Sequence, residues 1–130
     1  MNVRELTPED AITAVAWMTQ RYKNPFPKDF FPSCGAAVFD DIRLLAVIPM
    51  YFDQTSPVAV AGHCMTSPDN SPRESYKAIL LAMNFCQHLA RRKNKKYLVT
   101  LYGKRSINRI ADQLGFLDAD CVQEKLIILS

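Results

Sequence analysis

Residues 58–92 constrain the fold more than any other part of the chain, because they read as a strand, a polar loop and a helix in direct succession. Residues 58–66 are rich in Val and Ala and nearly continuous in apolar character, which predicts one strand covered on both faces. Ser71-Pro72-Arg73-Glu74 combines a Ser-x-x-Glu capping box with an early proline, so it predicts the start of a helix that runs to about Arg92. A strand after this helix would imply a parallel crossover.

The rest of the chain supplies the partners of this unit. The other predicted elements are a strand at 3–6, a helix from Pro8 to about Tyr22, a helical turn at 28–31, a hairpin of strands 35–39 and 42–52, a strand at 97–102, a short helix begun by Ser106 and a final strand at 121–129. This order, βα(α)βββαβαβ, predicts an α/β (mixed α+β) fold with a mixed central sheet of about 6–7 strands and helices on both faces. No linker interrupts it, so residues 1–130 are expected to form a single domain.

Three local patterns refine this prediction. Thr7 and Pro8 provide a cap and a first helical position, and spacing predicts that Ile12, Val15, Ala16 and Thr19 form the buried face of that helix. Pro49 cannot donate to a strand ladder and is therefore expected at a bulge or an edge.

An aromatic loop follows the first helix. Pro25, Pro27 and Pro32 exclude a long helix there, and Phe26, Phe30 and Phe31 accompany them. These rings either close one end of the core, line a substrate cleft, or form an exposed interface.

Composition narrows the functional classes. The 130 residues are 48% apolar and 22% charged, with no apolar run near the roughly 20 residues that span a bilayer. We expect a cytoplasmic protein that does not enter a membrane. The cysteines form no CxxC pair and are expected to be reduced and buried, and no spacing with His63 or His88 indicates a metal site.

Positive charge is concentrated late in the chain. Net charge is +3, and Lys and Arg cluster at 91–96 and at Lys104, Arg105 and Arg109. Such a run is typical of a solvated helix end. No stacking-aromatic or recognition-helix motif accompanies it, so nucleic acid is not the expected partner.

The element order and two motifs resemble the GCN5-related N-acetyltransferase (GNAT) family. The first motif is the Val/Ala-rich strand that enters a capped helix. The second is Gln113-Leu114-Gly115-Phe116 between a short helix and a final strand, and residues 3–10 also look like a GNAT start. The resemblance implies acetyl-CoA or another acyl-CoA as cofactor and N-acyl transfer as activity.

In that family, acyl-CoA lies between two splayed strands, and backbone N–H groups at a helix start hold its pyrophosphate. The resemblance implies that residues 63–65 polarise the thioester carbonyl. It places cofactor binding at Cys64, Met65, Arg73, Tyr76, Lys77 and Ala78. Arg73 and Ala78 fit the family's Q/R-x-x-G-x-G/A loop, whereas Tyr76 stands at the first glycine.

The resemblance also implies two catalytic residues. His63 is the candidate base that deprotonates the amine, and Tyr102 is the candidate acid, because the family's usual tyrosine position is Ala111 here. A half-buried core histidine and a rim phenol are the competing interpretations. Strand alternation directs Cys64 away from His63, which argues against a Cys–His nucleophilic pair.

Two functions therefore follow from the sequence. The first is acyl transfer from acyl-CoA to a small-molecule or protein amine. The alternative is a catalytically inactive GNAT-like binding or assembly module, similar to short domains encoded by bacteriophages, with a protein partner or a second copy of the chain. The missing glycine and the missing tyrosine motivate this alternative.

Overall fold

The computed structural model describes residues 1–22, 27–100 and 112–115. Within these ranges it contains six strands and two long helices. They are β1 (Asn2–Glu5), α1 (Pro8–Tyr22), β2 (Gly35–Asp40), β3 (Arg43–Phe52), β4 (Val58–Ala61), β5 (Met65–Thr66), α2 (Pro72–Arg92) and β6 (Tyr97–Thr100).

The six strands form one mixed sheet. Its order is β1-β2-β3-β4-β6, and β5 pairs with β3 beside β4. The pairs β1–β2, β2–β3, β3–β4 and β3–β5 are antiparallel, whereas β4 and β6 are parallel. Because α2 connects the β4–β5 region to β6, the predicted parallel crossover is present. The predicted mixed α+β sheet is confirmed.

A helix covers each face of the sheet. The α2-side cluster joins sheet residues Ala36, Val38, Leu45, Ala46, Ile48, Met50, Ala59 and Ala61 to Ala78, Ile79, Ala82, Met83, Cys86, Leu89 and Ala90 of the helix. The α1-side cluster consists of Leu6, Ala11, Ala14, Val15, Trp17, Met18, Phe31, Ala37, Val47 and Met65. Burying these side chains on two faces is the main source of stability, at about 25 cal/mol for each Å² of apolar surface.

The strand predicted at 58–66 is in fact two strands, which corrects that prediction. Three residues, Gly62 to Cys64, lie between the pairs Ala61↔Met50 and Met65↔Val47, but only Ile48 and Pro49 oppose them on β3. One extra residue on one strand is a β-bulge. It forms opposite Pro49, which has no N–H to donate, while Gly62 donates to the Pro49 carbonyl at 2.8 Å. Pro49 therefore lies at a bulge, as predicted.

Burial in β4 also differs from the prediction. Ala59 and Ala61 are fully buried under α2, whereas Val58 and Val60 on the opposite face are half-buried. The strand is therefore not covered equally on both faces.

The predicted buried face of α1 is wrong by about one position. Ile12 is 53% exposed and Ala16 is also exposed, while Val15 is buried as predicted. The cause is Asp10, which is held inward by Arg4 of β1. Ala14 follows Asp10 at helical spacing, so the helix turns that side toward the sheet.

The aromatic loop closes the core. Phe30 donates its N–H to the Pro27 carbonyl at 3.1 Å, which forms a turn one residue earlier than the helical turn predicted at 28–31. Phe31 is only 5% exposed, so the prediction that it belongs to an exposed interface is wrong. Phe26 lies outside the described residues.

In the described ranges, neither helix combines the length and the apolar character that crossing a membrane requires.

Candidate functional site

The predicted site residues His63, Cys64 and Met65, in and directly after the bulge, lie on different sides of the sheet. His63 is half-buried, and its ring meets Phe31 edge to face, with centroids 5.5 Å apart. Cys64 packs against the α2-side cluster, while Met65 is buried in the α1-side cluster. His63 and Cys64 thus contact different faces of the sheet, as strand alternation predicts.

The cysteines are free thiols in the part of the chain that is described, which includes Cys34, Cys64 and Cys86. Burial raises the pKa of Cys86 far above its ordinary value, and burial also raises that of Cys34. Both are therefore protonated at neutral pH and are poor nucleophiles. Among the described residues, no group of three His, Cys, Asp or Glu side chains is arranged to hold a metal ion. Cys121 is not among them.

The start of α2 is closed by its own hydrogen bonds. Ser71 Oγ accepts the Glu74 N–H at 3.1 Å, and Glu74 Oε1 accepts the Ser71 N–H at 2.9 Å, which completes the predicted capping box. The Ser75 N–H donates to the Ser71 carbonyl at 3.0 Å. Pro72 has no N–H. These donors are the ones that a helix start would offer to an anion.

The backbone N–H groups of the loop before the helix are also paired within the protein. The N–H groups of Ser67, Asp69 and Asn70 donate to the Leu45 carbonyl, Ser67 Oγ and the Ser67 carbonyl, at 3.0, 3.3 and 3.2 Å. Pro68 has no N–H. Of the nine residues from 67 to 75, two are therefore prolines and six donate within the protein. The N–H of Arg73 is the one for which no described acceptor is found.

The start of α2 already holds one carboxylate. Glu74 forms an ion pair with Arg43 of β3. The hydrogen bond from the Ser71 N–H and that from Arg43 hold the pKa of Glu74 below its ordinary value, so the carboxylate is charged at neutral pH. Asn70 Oδ1 is buried without a partner among the described atoms, and it is an acceptor. Phosphate oxygens would meet a carboxylate and an acceptor here.

The remaining predicted cofactor residues lie along the first two turns of α2. Arg73 and Lys77 are exposed, whereas the side chain of Ala78 is fully buried against the sheet. Tyr76 is half-buried, and its hydroxyl donates to Gln113 Oε1 at 2.9 Å. It therefore bridges α2 to the segment 112–115.

The expected pyrophosphate cradle does not fit this geometry. It requires several unpaired N–H groups and a glycine, but one N–H is unpaired and Tyr76 stands at the glycine position. The candidate site thus has two described parts, the bulge and the start of α2. Only the bulge fits the role that the family resemblance implies for it. Tyr102 lies outside the described residues.

The sequence did not predict that three residues contact the start of α2, namely Arg43, Asn70 and Gln113. Arg43 begins β3 and reaches Glu74, 31 positions later, so no local pattern reveals the contact. Asn70 Nδ2 donates to the Leu45 carbonyl at 2.9 Å and to Ser75 Oγ at 3.3 Å. The preference of Asn for positions before helices was the one available signal.

The basic cluster lies at the other end of α2. Lys95 donates to the carbonyl groups of Asp53 and Ser56, and Arg92 Nη1 lies 3.3 Å from Glu5 Oε1. Part of the cluster therefore stabilises the fold. A groove of about 510 Å³ beside it is lined by Arg91 and Tyr97, among others, and by no described residue of the candidate site. Lys104, Arg105 and Arg109 lie outside the described residues.

Comparisons by sequence and by structure give different results. No family model and no curated protein matches the sequence. Solved structures do match. A probable acetyltransferase is 13% identical with a TM-score of 0.72, covering 100% of this chain and 99% of its own. A ribosomal-protein-alanine N-acetyltransferase from Brucella melitensis biovar Abortus 2308 is 14% identical with a TM-score of 0.69, covering 98% and 100%.

A third match is an aminoglycoside N-acetyltransferase in complex with CoA. It is 12% identical, has a TM-score of 0.61, and covers 99% of this chain and 93% of its own. At such identities the matches establish the architecture and leave the activity open. The chain has the fold of the GCN5-related N-acetyltransferases.

Proposed function

We propose that this chain is an N-acyltransferase that moves an acyl group from a thioester donor to an amine. The observation that carries the proposal is the β-bulge at Gly62 to Cys64, next to the parallel β4–β6 pair, in a chain that matches the structure of a probable acetyltransferase. A bulge turns the backbone and its side chains out of the regular ladder and is over-represented beside active sites.

The bulge would bring the two substrates together. The amine would approach from the side of His63 and Phe31, and the backbone of residues 63–65 would polarise the thioester carbonyl. The amine nitrogen attacks the thioester carbonyl carbon, so a C–N bond forms and the C–S bond breaks. His63 would accept the proton of the amine, and Tyr102 would return a proton to the thiolate.

The fold makes acetyl-CoA or another acyl-CoA the first donor to test, because one structural neighbour was solved with CoA. Arg73 and Lys77 are the exposed cations beside the start of α2, and solvent and salt would screen their attraction for its phosphates. The acceptor would be a small-molecule or protein amine. Free thiols at Cys34, Cys64 and Cys86 support action in the reducing cytoplasm.

The test is release of free thiol from acetyl-CoA in the presence of a panel of amines. We expect His63→Gln to lower kcat by about a hundredfold, since general-base catalysis contributes that much. His88 is exposed on α2 and lies outside the site, so His88→Gln is the matched control and keeps the wild-type rate. Equal rates for the two variants would remove His63 from the mechanism.

A binding or assembly module without catalytic activity is the second candidate. It is favoured by the saturated N–H groups at the start of α2 and by the bridge from Tyr76 to Gln113. If no donor releases thiol with any amine, light scattering would test for a second copy of the chain. A pulldown would test for a protein partner.

A further inference from the structure

We infer that the chain recognises the thioester and the pantetheine arm of its donor and makes no use of the phosphates of CoA. It would therefore use short pantetheine thioesters as readily as acyl-CoA. The inference rests on the proposed acyl transfer. It also departs from the expectation that the start of α2 holds a pyrophosphate. It names a donor class, pantetheine thioesters with or without a nucleotide headgroup.

The first step concerns hydrogen bonds. A bound pyrophosphate gains affinity from N–H groups that have no other acceptor. Around the start of α2 only the N–H of Arg73 meets that condition among the described residues. To recruit the N–H groups of Ser71 and Glu74, the ligand would have to break both bonds of the capping box. It would exchange existing hydrogen bonds for new ones, so it would gain little net affinity.

The second step concerns charge. Arg73 and Lys77 are exposed, so salt screens their attraction for a phosphate over about 8 Å at physiological ionic strength. Glu74 is a fixed carboxylate in the same turn, and its partner Arg43 is already engaged. The Arg43–Glu74 pair is neutral, so Arg73 and Lys77 leave a net positive charge, but it lies on exposed side chains that solvent and salt screen and does not form a focused anion site.

The third step concerns space. Tyr76 occupies the position at which the family's loop has a glycine, and its hydroxyl is fixed to Gln113 at 2.9 Å. The ring also packs against the α2-side cluster. Backbone cannot approach a phosphate closely where such a side chain stands. At the bulge, His63 and Cys64 are each only half-buried.

The experiment compares acetyl-CoA with S-acetylpantetheine on the full chain, with one amine acceptor. We expect kcat/KM values within about threefold of each other, because phosphates that gain no net hydrogen bonds add little affinity. In amide proton–nitrogen NMR spectra, both donors should shift Gly62 and Met65. The phosphoadenosine diphosphate headgroup of CoA alone should shift nothing between residues 71 and 77.

Two other outcomes have distinct meanings. An advantage of acetyl-CoA of about a hundredfold, or headgroup-induced shifts in residues 71–77, would overturn this inference and leave acyl transfer standing. If neither donor reacts and neither shifts any amide, both the inference and the proposed function are wrong.

A gain-of-function variant provides an independent check. Pro72→Ala with Tyr76→Gly adds one N–H and removes the ring, so acetyl-CoA should gain on S-acetylpantetheine by about tenfold, the value of one hydrogen bond to a charged group. Pro8→Ala makes the equivalent proline change at the start of α1 and should leave the ratio unchanged. An unchanged ratio in the folded double variant would contradict the inference, and a thermal melt verifies folding.

Discussion

The two helices of the molecule begin in the same way. α1 starts with Thr7-Pro8-Glu9-Asp10, and α2 starts with Ser71-Pro72-Arg73-Glu74. In each, a hydroxyl accepts the N–H of the acidic residue, and that acidic side chain accepts the N–H of the capping residue. Both starts therefore satisfy their exposed donors reciprocally.

The two acidic residues are also paired alike, but they differ in burial. Asp10 binds Arg4 of β1, and Glu74 binds Arg43 of β3. The side chain of Asp10 is 9% exposed, whereas that of Glu74 is 34% exposed. The comparison teaches that the start of α2 is built as a structural cap. Its exposure, and not a set of free donors, is what makes it resemble a ligand site.

The largest expected difference between the two helix starts is at Asp10. Asp10→Ala removes a buried carboxylate that accepts from Arg4 and from the Thr7 N–H, so we expect a loss of about 2 kcal/mol in the free energy of unfolding. Glu74→Ala should cost clearly less, because its ion pair is exposed. Urea unfolding of both variants measures the difference. Equal losses would show that burial does not distinguish the two starts.

Acidification should change the difference in the free energy of unfolding between the wild type and Asp10→Asn. Burial by itself would raise the pKa of Asp10, but hydrogen bonds from Arg4 and Thr7 outweigh it and hold the pKa below its ordinary value. A carboxyl with a lowered folded-state pKa stabilises the protein above its unfolded pKa, and this stability is lost as pH falls through the folded value.

The difference in unfolding free energy between wild type and Asp10→Asn should therefore be constant from about pH 5 to pH 8 and shrink below about pH 4. Unfolding curves at several pH values measure it. A difference that grows on acidification would mean that the pKa of Asp10 is raised instead.

Local signals explain what the sequence could predict. The start of α2 follows from a capping box and a proline, which act within four residues, and its broad apolar stripe needs no knowledge of the sheet. Gly115 has φ +86°, as expected for the residue that ends a helix in the left-handed region. The antiparallel hairpin at Asp41 is equally local, since Asp41 has φ +53°.

Tertiary contacts explain what it could not predict. The bulge depends on the register between residues 62–64 and Pro49, which lies on another strand. The buried face of α1 depends on Arg4 holding Asp10 inward, and apolar spacing alone points to Ile12 instead. The contact of Tyr76 with Gln113 joins residues 37 positions apart. The site predictions at residues 63, 102 and 73–78 came from a family resemblance and remain predictions.

Ser71→Ala tests the cap of α2 by itself. Losing the bond to the Glu74 N–H should lower the free energy of unfolding by about 1 kcal/mol, the usual value of such a cap. Thr7→Ala is the matched change in α1, where the corresponding bond is longer, 3.3 Å against 3.1 Å. The Ser71 change should therefore cost at least as much. No loss at Ser71 would mean that the α2 cap is open in solution and available to a ligand.

The smallest expected effect concerns the feature that α2 has and α1 lacks, a tyrosine that bridges its second turn to another segment. Tyr76→Phe removes the hydroxyl that donates to Gln113, at a half-buried position, so we expect a loss of about 0.5 kcal/mol. Tyr97 is 60% exposed, and Tyr97→Phe serves as the control with no measurable loss. Hydrogen exchange should quicken at residues 112–115 only in the Tyr76 variant. If exchange there stays unchanged, the bridge does not hold that segment, and the space beside the start of α2 is open to a headgroup after all.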